Sequence, residues 1–539
     1  MARSSTATMH WRHPNALRGP GAGRPIPRRR WLGIAPAAAL LVGLLGPAGP
    51  LAVNAATPCA ELAALDLPQT IAVTAELDSD GSAAGQTALP EFCRVALTVA
   101  PQINIEVWLP TATYNDRFQA VGGGGYAGSI SFGAMAGALR SGYATASTDT
   151  GHTGFSGAFA LNADGTLNWQ LIEDFASRSL FQLTEKAQAL IEAFYGEPSA
   201  HAYWNGCSTG GRQGLMLAQR FPDGYDGILA GAPAIHWDRF HPAHLWPQLV
   251  RLQEVGGPIA NCKYDAVTAA AVAHCDSQDG VVDGILDDPR RCDFDPHSLV
   301  GVDLGACGAL TEAEADAIAR MWDGPRDTNG DRLWYGIPIG APMAALAGPA
   351  PFFIGLQHAQ YWVNQDPSWD WQTLTYETYT DFFNTSVAKF NEVIGTDDPD
   401  LSAFRDSGGK VLMWHGWADP LIFPQGTVDY YDRVIDQFHS TQQVQEFARL
   451  FMSPGVGHCG GGAGPNQFDM FGTLVDWVEN GEAPDRITAS RVEAGTLVRT
   501  RPLCAYPYVA RYDGRGDPDE AASFECKPNY GQWGTPNRR

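Results

Sequence analysis

Basic residues are scarce in this 539-residue chain, with 36 Lys and Arg against 59 Asp and Glu and a formal net charge of −23. Seven of those cations are arginines within the first 30 residues, so the chain beyond residue 55 carries about −30. Such acidity excludes nucleic acid and anionic membrane as expected partners and favours solubility. No Cys-x-x-Cys pair occurs, which removes zinc ribbons and dithiol redox motifs. The apolar stretch from Trp31 to Val53 is broken by Pro36, Pro47 and Pro50, which argues against a permanent membrane helix. No internal repeat is found, and no low-complexity stretch outside the N-terminal region. No convincing G-x-G-x-x-G with an acidic ribose partner is present, so dinucleotide binding is not expected.

Residues 1–55 instead have the layout of an export signal. An arginine-rich start ends in Arg28-Arg29-Arg30, an apolar run follows, and Val53-Asn54-Ala55 supplies small residues for cleavage. The twin-arginine and general secretory routes fit equally. Ala56-Thr57-Pro58 before Cys59 lacks lipoprotein context, so a secreted or periplasmic protein without a stable membrane anchor is expected. All ten cysteines lie beyond the signal, and an even number in an oxidising compartment predicts five disulfides. The remaining chain, about 484 residues, can form one large domain plus an insertion. Nothing in it specifies an oligomeric state.

Among 60 glycines, the run Gly206-Cys207-Ser208-Thr209-Gly210 fits G-x-S-x-G, a sharp strand-to-helix turn that presents a serine hydroxyl above a sheet. His201-Ala202-Tyr203-Trp204 before it is strand-like, and Gly211 to Arg220 after it reads as a helix. In an α/β-hydrolase, the acid and then the base follow the nucleophile along the chain. Lys410 to His415 is a buried-strand run opening into Gly416-Trp417-Ala418-Asp419-Pro420, and Phe447 to Met452 is another, followed by a glycine-rich loop with His458. Asp419 would orient His458, and His458 would take the Ser208 proton. His415 and His152 are rival bases, but one precedes the acid loop and the other precedes the elbow. The bland alternatives are a turn aspartate before proline and a solvated histidine beside glycine.

Cys207 adjoins the nucleophile and Cys459 adjoins the base. If Ser208 and His458 meet, these two cysteines come within disulfide reach and would pin the base to the elbow. The oxyanion hole should combine the Thr209 amide with one from Gly122-Gly123-Gly124-Gly125, Gly124 being the candidate, after the strand Phe118 to Val121.

With Gly-Cys-Ser-Thr-Gly-Gly-Arg, His-Gly-Trp-Ala-Asp-Pro and Gly-His-Cys in place, the chain from about Cys59 to Cys526 resembles the tannase/feruloyl esterase family, which also includes phthalate half-ester hydrolases. The resemblance implies an α/β-hydrolase core (residues 56–234 and 402–539), with a large lid at 235–401 between the nucleophile and acid strands. It implies a secreted serine esterase, with Ser208, Asp419 and His458 as triad, that cleaves small esters of hydroxycinnamic or gallic-type acids through an acyl-enzyme. It also implies a structural calcium in the lid, held by the side chains of Asp276, Asp279 and Asp283 and the carbonyls of Val281 and Ile285. Carboxylates between tight glycine turns suit such a hard ion, although the spacing is not that of an EF-hand. The loop Asp327 to Asp331 reads as a hairpin turn, and His241 with His244 lacks a third metal ligand.

Beside Cys207–Cys459, proximity in the chain pairs Cys275 with Cys292, Cys504 with Cys526 and Cys59 with Cys93, which leaves Cys262 for Cys307. Ile422, three residues past the acid, is the expected substrate contact. Trp334, Tyr335, Phe352, Phe353, Tyr361 and Trp362 compete between pocket wall and core. A phthalate or terephthalate monoester hydrolase is the alternative, because a free carboxylate on the substrate calls for an arginine such as Arg320, Arg326 or Arg332. A catalytically inactive binding protein on the same fold is a remote one.

Overall fold

A nine-stranded mixed sheet organises the computed structural model, which describes residues 56–529. The predicted signal segment, residues 1–55, lies outside the described residues. The strands are β1 (Thr70–Asp78), β2 (Phe92–Val99), β3 (Ile103–Pro110), β4 (Arg117–Val121), β5 (Ala144–Thr148), β6 (His201–Cys207), β7 (Gly227–Gly231), β8 (Lys410–Gly416) and β9 (Ala448–Ser453). Their spatial order is β1-β2-β3-β5-β4-β6-β7-β8-β9. Pairing is antiparallel from β1 through β3 to β5 and parallel from β5 to β9.

The parallel strands read as continuous apolar runs because each is covered on two faces. Trp204, Ile228 and Met413 point into a core with helices α2 (Ser179–Tyr195), α3 (Thr209–Arg220) and α8 (Pro424–Phe438). Their chain neighbours Tyr203, Leu229, Leu412 and Trp414 point the opposite way, into a core with α9 (Met470–Asn480). α1 (Phe132–Arg140) closes a smaller cluster around Trp108 and Val121. A one-residue slip of any of these strands would exchange its two faces, so the packing specifies the register.

Residues 232–409 add no strand to this sheet. They form α4 (Trp237–His244), α5 (Asn261–Cys275), α6 (Glu312–Asp323) and α7 (Tyr376–Ile394), with shorter turns between. Their buried aromatic residues, among them Trp237, Phe240, Tyr379 and Phe390, share one core with Tyr126 and Phe175 from the sheet's loops and with Ile422 and Phe423. The insertion is therefore packed against the loops where the parallel strands end. After β9 and α9 come two hairpins, β10 (Arg486–Glu493) with β11 (Thr496–Cys504) and β12 (Tyr508–Tyr512) with β13 (Phe524–Pro528). Ala494 and Gly495 link β10 to β11 at φ values of 47° and 82°, the left-handed pair that a two-residue hairpin turn needs.

Five disulfides join Cys59–Cys93, Cys207–Cys459, Cys262–Cys307, Cys275–Cys292 and Cys504–Cys526. Among the described residues no helix is long and apolar enough to cross a membrane.

Candidate active site

Ser208 occupies the turn between β6 and α3 with φ 63° and ψ −122°, a left-handed conformation that is costly for a residue with a Cβ. The turn is over-determined. The Ser208 amide donates to the Gly231 carbonyl at 2.9 Å, and the Ser208 carbonyl accepts from the amides of Arg212 and Ala234 at 3.0 and 3.1 Å. That first bond starts the helix at Thr209, two residues earlier than the apolar spacing predicts. The motif glycines are there for close approach. A Cβ on Gly206 would lie 2.5 Å from the Gly210 carbonyl, and one on Gly122 would lie 2.5 Å from the Gly210 Cα. Elbow and glycine-rich loop thus pack backbone against backbone.

Strand β8 ends at Gly416, where any side chain would collide with the Val456 carbonyl. The acid and base loops meet there, with the amides of Trp417 and Ala418 donating to the carbonyls of Ser453 and Val456, each at 2.9 Å. Asp419 is fully buried. Its Oδ1 accepts from the amides of Leu421 (2.8 Å) and Ile422 (3.0 Å). Its Oδ2 lies 2.7 Å from His458 Nδ1 and 3.0 Å from His415 Nε2. Burial alone would raise this carboxyl, but His458 and His415 hold it well below the usual carboxylate range. Facing an ionised carboxylate, His458 Nδ1 carries the proton, which leaves Nε2 as the acceptor.

Among the described residues, the Ser208 hydroxyl and His458 are not joined by a hydrogen bond. What ties them is covalent: Cys207 and Cys459, their chain neighbours, are bonded with Cα atoms 6.0 Å apart. Hydrogen bonds at such sites commonly tighten only when substrate binds.

Above the elbow, the Gly123 amide is used by Gln213 Oε1 at 3.1 Å, and the Gly125 carbonyl by the Thr209 hydroxyl at 2.9 Å. The amides of Gly124 and Thr209 donate to no acceptor among the described residues, and a Cβ on Gly124 would meet nothing within 4 Å. Two donors and open space therefore coincide beside Ser208.

Two other histidines near the site hold backbone carbonyls. His152 is buried and lies 2.8 Å from the Tyr126 carbonyl, so it holds the end of the glycine-rich loop. His244 Nε2 lies 2.6 Å from the Leu421 carbonyl, and burial pushes its pKa down to about 4. Its other ring nitrogen faces His241 at 3.4 Å. Ile422 acts first through its backbone, while its side chain lines a small cavity with His236, Phe240 and Trp334. Trp362 is core, bonded to the Gly157 carbonyl at 3.1 Å, whereas Phe353 is exposed. The Asp327 to Asp331 loop is a turn between paired Arg326 and Arg332.

In the acidic loop, Asp276 accepts from the amides of Asp283 (3.1 Å), Gly284 (2.9 Å) and Ile285 (3.3 Å). Asp276, Asp279 and Asp287 line a cavity of ≈ 10 Å³, the space of a single water or ion. Burial, and then their acidic neighbours, push Asp279 up to about 6 and Asp287 up to about 8. The Asp283 carboxylate turns instead to Arg501, 2.5 Å away. Asp287 is absent from the ligand set that the sequence resemblance implies, and its burial is what marks it.

Sheet order, elbow and the loops after β8 and β9 define an α/β-hydrolase fold. Within it the chain belongs to the tannase and feruloyl esterase family, whose profile matches residues 87–527. A probable feruloyl esterase of Arthroderma benhamiae is 40% identical over 467 residues, covering 82% of this chain and 86% of that one. A mono(2-hydroxyethyl) terephthalate hydrolase of Piscinibacter sakaiensis is 33% identical over 546 residues, covering 85% and 88%. The crystal structure of feruloyl esterase B from Aspergillus oryzae superposes with a TM-score of 0.77 at 29% identity, covering 87% of this chain and 99% of that one.

The bridge generates a prediction. Replacing Cys207 and Cys459 together by Ala should lower kcat for ester hydrolysis at least about tenfold, because small displacements of reacting groups cost that much or more. Denaturant unfolding should register a loss no larger than about 5 kcal/mol, the entropic limit for so long a loop.

Proposed function

We infer that this protein is a serine esterase that hydrolyses esters of aromatic carboxylic acids through an acyl-enzyme on Ser208. The observation that carries it is the His458–Asp419 pair, fastened by a disulfide to a strained elbow beside two uncommitted amides. The Ser208 hydroxyl attacks the ester carbonyl while His458 Nε2 takes its proton. The negative charge that develops on the carbonyl oxygen meets the amides of Thr209 and Gly124. Collapse breaks the bond to the alcohol, which leaves with the proton from His458. Water, deprotonated in turn by His458, releases the acid and restores Ser208.

The family and the name of the Arthroderma relative support a feruloyl- or tannin-type acyl group. The terephthalate half-ester reading has the Piscinibacter relative in its favour. Against it, the arginines that could receive a free carboxylate are occupied. Arg326 and Arg332 bind Asp323, and Arg320 pairs with Glu254 at 3.3 Å. Five disulfides support an exported protein.

Ser208→Ala should lose about 10³-fold or more in turnover while staying folded. Retained turnover would refute the mechanism, and absence of turnover in the unaltered protein would favour a binding protein. Side-by-side rates on methyl ferulate, methyl gallate and a terephthalate half-ester should rank the half-ester last.

The acidic loop fits a hard divalent cation, calcium, on its donor chemistry: buried carboxylates crowd around a space of ion size. Asp276, Asp279 and Asp287 would hold it; the resemblance adds the carbonyls of Val281 and Ile285 and the carboxylate of Asp283, which is paired with Arg501 here. There it would neutralise the carboxylates and stiffen the insertion. Chelation, or Asp279→Ala, should lower Tm before it lowers activity, and metal analysis should find about one calcium per chain. Zinc in that ratio would contradict the assignment.

A further inference from the structure

His415, one residue before the end of β8, has no exposed surface and is bonded at both ring nitrogens. Nε2 lies 3.0 Å from Asp419 Oδ2 and 2.9 Å from the Ile422 carbonyl, which can only accept. Nδ1 lies 2.8 Å from the Thr427 hydroxyl, which can donate. Nε2 therefore carries a proton, and Nδ1 is held by the Thr427 hydroxyl, so both edges of the ring are fixed.

We propose that His415 is a positioning residue for the reaction, a second imidazole that shares Asp419 Oδ2 with His458 and is held in its orientation by Thr427. It holds the carboxylate plane, since Oδ1 is already committed to the amides of Leu421 and Ile422. It ties the Ile422 carbonyl to the same ring, closing the loop from Asp419 to Ile422. It also shares the charge of the oxygen that faces His458 Nδ1. The titratable groups around this carboxylate are His458, His415 and, across the Leu421 carbonyl, His244.

The proposal rests on the assignment of Ser208, His458 and Asp419, which fails separately if turnover survives in Ser208→Ala. Its own test is kcat, KM and the pH profile of kcat/KM for the disulfide-bonded protein and its variants. His415→Leu should lower kcat about 10- to 100-fold with KM within about twofold, since a hydrogen bond to a charged group is lost without a substrate contact. The acid limb of kcat/KM should move to higher pH, because Asp419 then acts on His458 alone. Thr427→Val should shift the limb the same way by less, and Thr427→Ser should restore most of the kcat that valine removes. If His415→Leu does not fold, the Thr427 pair decides. An unmoved acid limb in the folded variants, or equal losses in Thr427→Val and Thr427→Ser, would overturn the proposal.

Discussion

The site is organised around one buried carboxylate. Asp419 has no exposed surface, and a charge so placed costs several kcal/mol unless it is fully bonded. Four donors meet that requirement: the amides of Leu421 and Ile422 and the imidazoles of His415 and His458. Those donors come from two strand ends, so the acid can ionise only where β8 and β9 terminate side by side. Removing any donor leaves charge uncompensated, which is why the loop from Gly416 to Ile422 has one geometry.

A second constraint is covalent. The strained Ser208 backbone is held from three sides by hydrogen bonds, while the base is held to it by the bridge between Cys207 and Cys459. The strained serine and the buried carboxylate thus both sit at the carboxyl ends of parallel strands, as open α/β sheets commonly arrange. The insertion covers this edge and shares its hydrophobic core with Tyr126, Ile422 and Phe423. Movement of the insertion would therefore be felt in the loops carrying the acid and the oxyanion amides.

Much of this was legible in the sequence because local rules act at short range. Apolar runs bounded by glycine-rich loops marked β6, β8 and β9, and the order of nucleophile, acid and base separated His458 from its rivals. Adjacency alone suggested the bridge between Cys207 and Cys459. Other features depend on contacts between distant segments. The tasks of His415, His152 and His244 follow from which carbonyl or carboxylate each ring meets, and chain order could only deny His415 and His152 the role of base. Asp287 is marked only by the fold, which brings it beside Asp276 and Asp279. The pairing of Arg326 and Arg332 with Asp323 was equally invisible, so the same arginines read as candidate carboxylate binders.

The central claim, that Ser208 is acylated by an aromatic ester under control of His458 and Asp419, is tested most directly by trapping the intermediate. Acid quenching within the first turnovers on an activated ferulate ester, followed by intact-mass and peptide analysis, should show one feruloyl group per chain on the peptide bearing Ser208. An acyl group on any other residue, or rapid turnover with no covalent species and no burst of released alcohol, would contradict the account.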